Sequence, residues 1–355
     1  MSIPTSARQW TLREKPHADP VLEGANPTFT QGTASIPELQ DGQVLLKTLY
    51  LSNDPAQRTW ISRAVQPGRL YVPPVETGEV MRAGGIGQVV NSRHSTLKPG
   101  DLVTTTIGWT DYSVHDGDSV SVIDPPAGLA VTHFLGALGL AGFTAWYGLY
   151  EVAKVTSKDA IVISGAAGAV GNVAVQIAKK LIGCRKDFKK VIGIAGTDDK
   201  CRGVEVLGAD VCLNYKSPSF KEDLTKATDG FVEVYFDNVG GEILDFMLTR
   251  LARHGRVAAC GAISNYNRDS DPTALKNYFE VVSMRLQILG FIVIDGLHLL
   301  SGARAALVEA WQNGKLLLGE QAETVVDTNF SDIPRTWSML YSGGNTGKLI
   351  TKLKD

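Results

Sequence analysis

The segment Ser164-Gly165-Ala166-Ala167-Gly168-Ala169-Val170-Gly171 consists of residues too small to hold a ligand away from the backbone. It follows a short apolar run, Ala160 to Ser164, and leads into a stretch with helical rhythm, Asn172 to Leu181. A turn in that place offers free N–H groups at the positive end of a helix dipole, which suits a pyrophosphate. A strict G-x-G-x-x-G ending at Gly168 and Gly171 requires glycine at position 166, where this chain has Ala166. The competing reading is a tight strand-to-helix turn that binds nothing. The order of strand, turn and helix favours the phosphate site.

The end of the next apolar run speaks to the type of dinucleotide. An Asp or Glu there would bind a ribose 2′-hydroxyl. Val191 to Ala195 instead ends in Gly196-Thr197, with no acid at the tip, and Lys200 follows within a turn. A lysine can neutralise a 2′-phosphate that a carboxylate would repel. Asp198 and Asp199 read as cap and first-turn acids of a following helix. These residues point to NADP over NAD, with a solvated surface lysine as the alternative.

Other chemistries find little support. The six histidines, His17, His94, His115, His133, His254 and His298, include no pair at metal-ligand spacing, and there is no HExxH. Nor is there a G-x-S-x-G turn for a serine nucleophile. The four cysteines, Cys184, Cys201, Cys212 and Cys260, form neither a CxxC pair nor a disulfide framework, so a reducing, cytoplasmic setting is expected. With 35 Lys and Arg against 37 Asp and Glu, the net charge of −2 argues against nucleic-acid or membrane-surface partners. No apolar run approaches the ~20 residues of a membrane span, and the start, Met1-Ser2-Ile3-Pro4-Thr5, does not read as a secretory signal. What remains is chemistry carried by the cofactor itself, hydride transfer.

The elements that position these residues fall into two textures. The N-terminal third has short β-type runs broken by Gly and Pro, such as Gly42 to Leu51 and Asp101 to Thr106, and suggests a β-rich, barrel-like domain. After Pro125-Pro126, strand-like runs alternate with helical stretches; Phe231 to Phe236 and Arg256 to Cys260 are two further strands. That alternation implies a doubly wound, mostly parallel α/β sheet. The tail has a helical stretch, Ala303 to Gly314, and a strand, Gly347 to Leu353, which could return to the first domain. The expected division is 1–130 with 305–355 for the β-rich domain, and 131–304 for the nucleotide domain.

Taken together, these segments resemble the medium-chain dehydrogenase/reductase superfamily. The strings Phe236-Asp237-Asn238-Val239-Gly240-Gly241, Cys260-Gly261-Ala262-Ile263-Ser264-Asn265-Tyr266-Asn267, Gly290-Phe291-Ile292-Val293 and Asn345-Thr346-Gly347-Lys348 narrow the likeness to the zinc-independent prostaglandin reductase and alkenal double-bond reductase family. In Asn53-Asp54-Pro55-Ala56-Gln57-Arg58 the chain departs from the family's Asp-Pro-Tyr-Met-Arg, in a version similar to a fungal branch. In relatives this segment lies near the substrate. Where zinc-dependent relatives carry metal ligands, this chain has Ser52-Asn53-Asp54 and Glu76-Thr77-Gly78-Glu79, and it has no four-cysteine lobe.

The resemblance implies a Rossmann domain beside a β-rich GroES-like barrel domain, a homodimer, and no metal. It implies that Ala167, Gly168, Ala169 and Val170 hold the pyrophosphate of NADP(H), and that Gly196, Lys200 and Tyr215 hold the 2′-phosphate. Asn238 would reach the ribose. Cys260, Gly261, Ala262, Ile263, Ser264 and Tyr266 would line the nicotinamide half, with Phe291, Ile292, Val293 and Asn345 closing around it. The implied reaction is NADPH-dependent reduction of the double bond of a small enone or enal, with hydride going to the β-carbon. Tyr266 would donate to the developing enolate, and Tyr50 is a further candidate for the pocket wall. Rival readings are a quinone reductase, a metal-free alcohol dehydrogenase and a non-catalytic NADPH-binding protein.

Overall fold

A computed structural model describes residues 3–183, 190–267 and 274–354. The chain divides into two compact units, Met1–Leu135 with Val325–Gly344 and Leu349–Asp355, and Gly136–Thr324 with Asn345–Lys348.

The first unit opens with an antiparallel pair, β1 (Ser6–Leu12) and β2 (Phe29–Ser35). Then come β3 (Gln43–Ser52), β4 (Gly84–Ser92), β5 (Leu102–Thr106), β6 (Tyr112–Asp116) and β7 (Ser121–Val122). Their pairings are antiparallel, and β3 is the hub, bonded to both β4 and β6. Phe29, Trp109 and Trp337 pack with ring centroids 4.8 to 5.9 Å apart, in a core with Leu12, Leu51 and Ile61. Burying such aromatic rings is a large part of what holds a unit of this kind together.

The second unit has a parallel sheet of β8 (Ile161–Ser164), β9 (Val191–Ala195), β10 (Val211–Asn214), β11 (Val232–Asp237), β12 (Leu251–Ala259) and β13 (Gln287–Gly290). The order is β10-β9-β8-β11-β12-β13. The order reverses between β8 and β11, and ligands bind beyond the carboxyl ends of strands at such a reversal. Every residue of β8 and β9 is buried, as expected for central strands covered on both faces. Val162, Ile192, Ile194, Tyr235 and Val257 share one core beneath the helices.

Two strands complete the chain, β14 (Glu323–Thr328) and β15 (Lys348–Leu353). The tail strand does return: β15 pairs antiparallel with β3, Lys352 opposite Tyr50. Residues 305–324, expected with the β-rich domain, belong instead to the second unit. The helix Leu300–Gln312 packs on the helix Leu140–Tyr147, and Arg304 Nε donates to Leu138 O at 2.8 Å. Sequence reading placed no element at β10, β13 or β14, each a run of six residues or fewer with mixed exposure.

Candidate active site

Ser164 ends β8, and the chain turns through Gly165 with φ of 59°. Gly168 is the N-cap of the helix Ala169–Gln176, and no side chain caps it. The first N–H groups of this helix are therefore offered to a ligand rather than to a cap. A Cβ on Gly171 would collide with the Gly165 carbonyl oxygen and lie 2.7 Å from Ala166 Cα. Glycine there lets the helix close onto the strand. The helix begins at Ala169, three residues before the expected start at Asn172, so Ala169 and Val170 form its first turn. Asn172 Nδ2 reaches back to the Gly168 carbonyl at 3.0 Å.

The tail holds this turn from the side. Gly347 N–H donates to Ala167 O at 2.7 Å, and Asn345 Nδ2 donates to Gly347 O at 2.8 Å. Gly347 has φ of 64°, and a Cβ there would collide with Ala322. Asn345, distant in sequence, thus bonds the residue that holds this turn.

At the end of β9, Thr197 caps the helix Asp198–Leu207 by accepting from Lys200 N–H at 3.2 Å. The Tyr215 ring lies against Gly196, where an added Cβ would meet Tyr215 Cε1 at 3.1 Å. Asp198 accepts from Asn214 Nδ2 at 2.8 Å, and Asp199 pairs with Arg202. The two acids are engaged with those neighbours, as first-turn residues of their helix. Burial, and then the positive charge of Lys216, lower the Lys200 pKa. Lys216 Nζ stands 5.9 Å from the centroid of the Tyr215 ring.

The carboxyl ends of β11 and β12 carry a second construction. Asp237 Oδ1 accepts from Tyr235 Oη at 2.8 Å, Ser164 Oγ at 3.1 Å, Val239 N–H at 3.0 Å and Gly240 N–H at 2.9 Å. Burial pushes this carboxyl above its ordinary range, and the four hydrogen bonds oppose that. Asn238 donates its N–H to Ser164 Oγ at 3.0 Å and its Nδ2 to Ser164 O at 2.8 Å. Its side-chain nitrogen is committed to β8.

The loop Cys260–Tyr266 is stitched to that framework. Cys260 and Gly261 N–H donate to Asp237 O, and Ser264 Oγ donates to Val239 O at 2.7 Å. Tyr266 folds back so that its Oη accepts from Ala262 N–H at 3.2 Å. A phenol that accepts a backbone hydrogen bond is held in place against its own loop. Phe291 packs against Phe236 and Tyr147 at 6.2 and 6.0 Å between centroids, and Ile292 and Val293 follow it, half-buried.

Residues 8–123 match a family described as the N-terminal domain of oxidoreductase, and residues 169–309 one described as zinc-binding dehydrogenase. The NADPH-dependent curcumin reductase of Escherichia coli is 34% identical over 98% of this chain and 96% of its own. Prostaglandin reductase 1 of Bos taurus is 34% identical over 98% and 99%. The chain belongs to the prostaglandin reductase and curcumin reductase family of medium-chain dehydrogenase/reductases. In structure it is similar to CurA of Vibrio vulnificus, solved in complex with NADPH, with TM-score 0.86, 31% identity and coverage of 98% and 99%.

This oxidoreductase has, among its described residues, no group of three or more His, Cys, Asp or Glu that could hold a metal ion. Cys201, Cys212 and Cys260 are free thiols; Cys184 lies outside the described residues. The Cys260 thiol is pushed up to about 12 by burial and then by the Asp237 charge. Tyr50 stands on β3 in the first unit, packed beside Ile86 and Ile350. Gln57, one of the departures from the family pattern, is fully buried; it accepts from Asp54 N–H and donates to Arg82 O. Neighbouring Ala56 precedes the short helix Gln57–Trp60. Among the described residues no helix is long and apolar enough to cross a membrane.

Sequence reading missed the network of Ser164, Tyr235 and Asp237. Ser164 and Asp237 had one visible signal, as polar residues ending apolar runs. Tyr235 had none, because it reads as one more residue of an apolar strand.

Proposed function

We propose that this oxidoreductase uses NADPH to reduce the carbon–carbon double bond of α,β-unsaturated ketones or aldehydes. The residues fit the cofactor: a turn without obstructing side chains, an uncapped helix start, and the Tyr215 ring against Gly196 with Lys200 in the first turn of the helix that follows. Ala167 to Val170 would hold the pyrophosphate, and Gly196, Lys200 and Tyr215 the 2′-phosphate. Asn238, the Cys260–Ser264 segment, Phe291 to Val293 and Asn345 would enclose the remainder. When bound, NADPH supplies the hydride that goes to the substrate's β-carbon.

The observation that carries the reading is Tyr266, anchored by Ala262 N–H at the carboxyl ends of the central strands. Its O–H donates to the carbonyl oxygen as enolate charge develops there, the role of a preorganised oxyanion donor. The α-carbon then takes its proton from Tyr266 or from water. No metal takes part. The enzyme acts in the cytosol as a homodimer. The exposed outer strand β13 and the exposed Tyr278, Phe279 and Val282 support that assembly, since an unpaired apolar edge favours a partner.

The test is a panel of enones, enals and quinones with NADPH, followed by absorbance with and without chelator. Enones and enals should be consumed at a chelator-independent rate. Turnover of quinones alone would favour a quinone reductase. Binding of NADPH without oxidation would favour a non-catalytic protein.

A further inference from the structure

We infer that Thr324 is a positioning residue for the cofactor, its hydroxyl clasping the tail segment that holds the phosphate turn. The inference rests on the cofactor reading above and adds to it a residue far from the turn in sequence. Thr324 Oγ1 accepts from Thr346 N–H at 3.0 Å and donates to Thr346 O at 2.7 Å. One side chain thus satisfies both backbone polar groups of one residue. The next residue, Gly347, gives its N–H to Ala167 O, and Gly347 forms a parallel bridge with Gly168. Beyond it, Lys348 N–H donates to Ala322 O at 2.9 Å. Thr324, the segment Asn345–Lys348 and the turn all belong to the second unit.

Gly347 must be glycine, because a Cβ there would strike the Ala322 backbone, and glycine is the loosest residue a chain can place at a joint. The clasp on the preceding residue removes that looseness. The far end of the same helix is tied in the same manner. Gln176, buried at the end of the helix Ala169–Gln176, accepts from Leu317 N–H at 2.7 Å and donates its Nε2 to Leu317 O at 3.2 Å. The turn and its helix are therefore held at both ends by the chain between Leu317 and Lys348. Gln176 acts about two turns from the helix start, whereas Thr324 acts on the turn itself. The helix start has no side-chain cap, so its donors are backbone groups alone. Such donors aim only as well as the backbone that carries them is held.

The experiment measures dissociation constants of NADPH, NADH and 2′-AMP for wild type, Thr324→Val and Thr324→Ser. Valine keeps the shape and loses the hydroxyl; serine keeps the hydroxyl. Thr324→Val should weaken NADPH and NADH alike, on the order of tenfold, because both carry the pyrophosphate. 2′-AMP lacks the pyrophosphate and should bind as it does to wild type, and Thr324→Ser should restore both dinucleotides. Unchanged NADPH affinity in Thr324→Val would overturn the role of Thr324. Equal weakening of 2′-AMP would overturn it too, since that marks a general loosening of the unit. Hydrogen exchange on the wild-type chain reads the same tie without a substitution. NADPH should slow exchange at Gly347 together with residues 165–171, and a Gly347 amide indifferent to NADPH would contradict the clasp. A wild-type chain that binds neither NADPH nor NADH would overturn the cofactor reading itself.

Discussion

The turn Gly165–Gly171 and the loop Cys260–Tyr266 both follow parallel strands of one sheet, β8 and β12, yet they are held in different ways. In the turn the backbone does the positioning. Gly171 and Gly347 sit where a side chain would strike neighbouring backbone, and the helix start carries no side-chain cap. In the loop, side chains share the task. Asp237 collects four donors, Ser264 bonds Val239, and Tyr266 takes the Ala262 N–H. The turn is thus built by omission and the loop by a polar network, which has its full value only when every member is satisfied.

This contrast can be broken first at Gly171. Gly171→Ala should destabilise the chain by about 3 kcal/mol or more, because helix and strand cannot both keep their places. Thermal unfolding checks this, and NADPH affinity should fall with stability. A variant with wild-type midpoint and affinity would show that the close approach is not needed. At the other end the effect should fall on chemistry instead. Tyr266→Phe keeps the ring and removes one donor, and turnover should drop ~100-fold or more with NADPH affinity nearly intact. Full turnover in the phenylalanine variant would reduce Tyr266 to a wall of the pocket.

Cys260 gives the smallest effect and sharpens the comparison within the loop. An ordinary thiol has a pKa of ~8.5, and labelling by iodoacetamide follows its thiolate. Burial and the Asp237 charge hold Cys260 protonated until about 12. Its labelling, read by peptide mass, should therefore be slow at neutral pH and keep rising well beyond the ordinary thiol range. A plateau near the ordinary value would mean that neither burial nor Asp237 acts on it. The same protonation should spare Cys260 from addition to an enone, since the thiolate is the attacking form.

The contrast also explains what could be read from sequence. Glycines imposed by close approach are visible as residue types, so the turn, its helix and the two-unit texture were legible from Ser164–Gly171 and the apolar runs around it. The strand β15 was legible, but its register on β3 was not. Networks assembled from distant segments leave no local pattern. Ser164 meets Asp237 and Tyr235 only because β8 and β11 are neighbours. The family resemblance supplied Tyr215, Asn238, Tyr266 and Asn345 as site residues. It could not supply what holds them. The buried amide of Gln57 bonds Asp54 and Arg82 within the first unit.

The central claim is that hydride reaches the β-carbon of the enone. The most direct measurement uses NADPH carrying deuterium at its transferable position, an enone substrate and analysis of the product by nuclear magnetic resonance. The account predicts a saturated ketone with deuterium on the former β-carbon and hydrogen from solvent on the α-carbon. Deuterium on the carbonyl carbon of an allylic alcohol would contradict it.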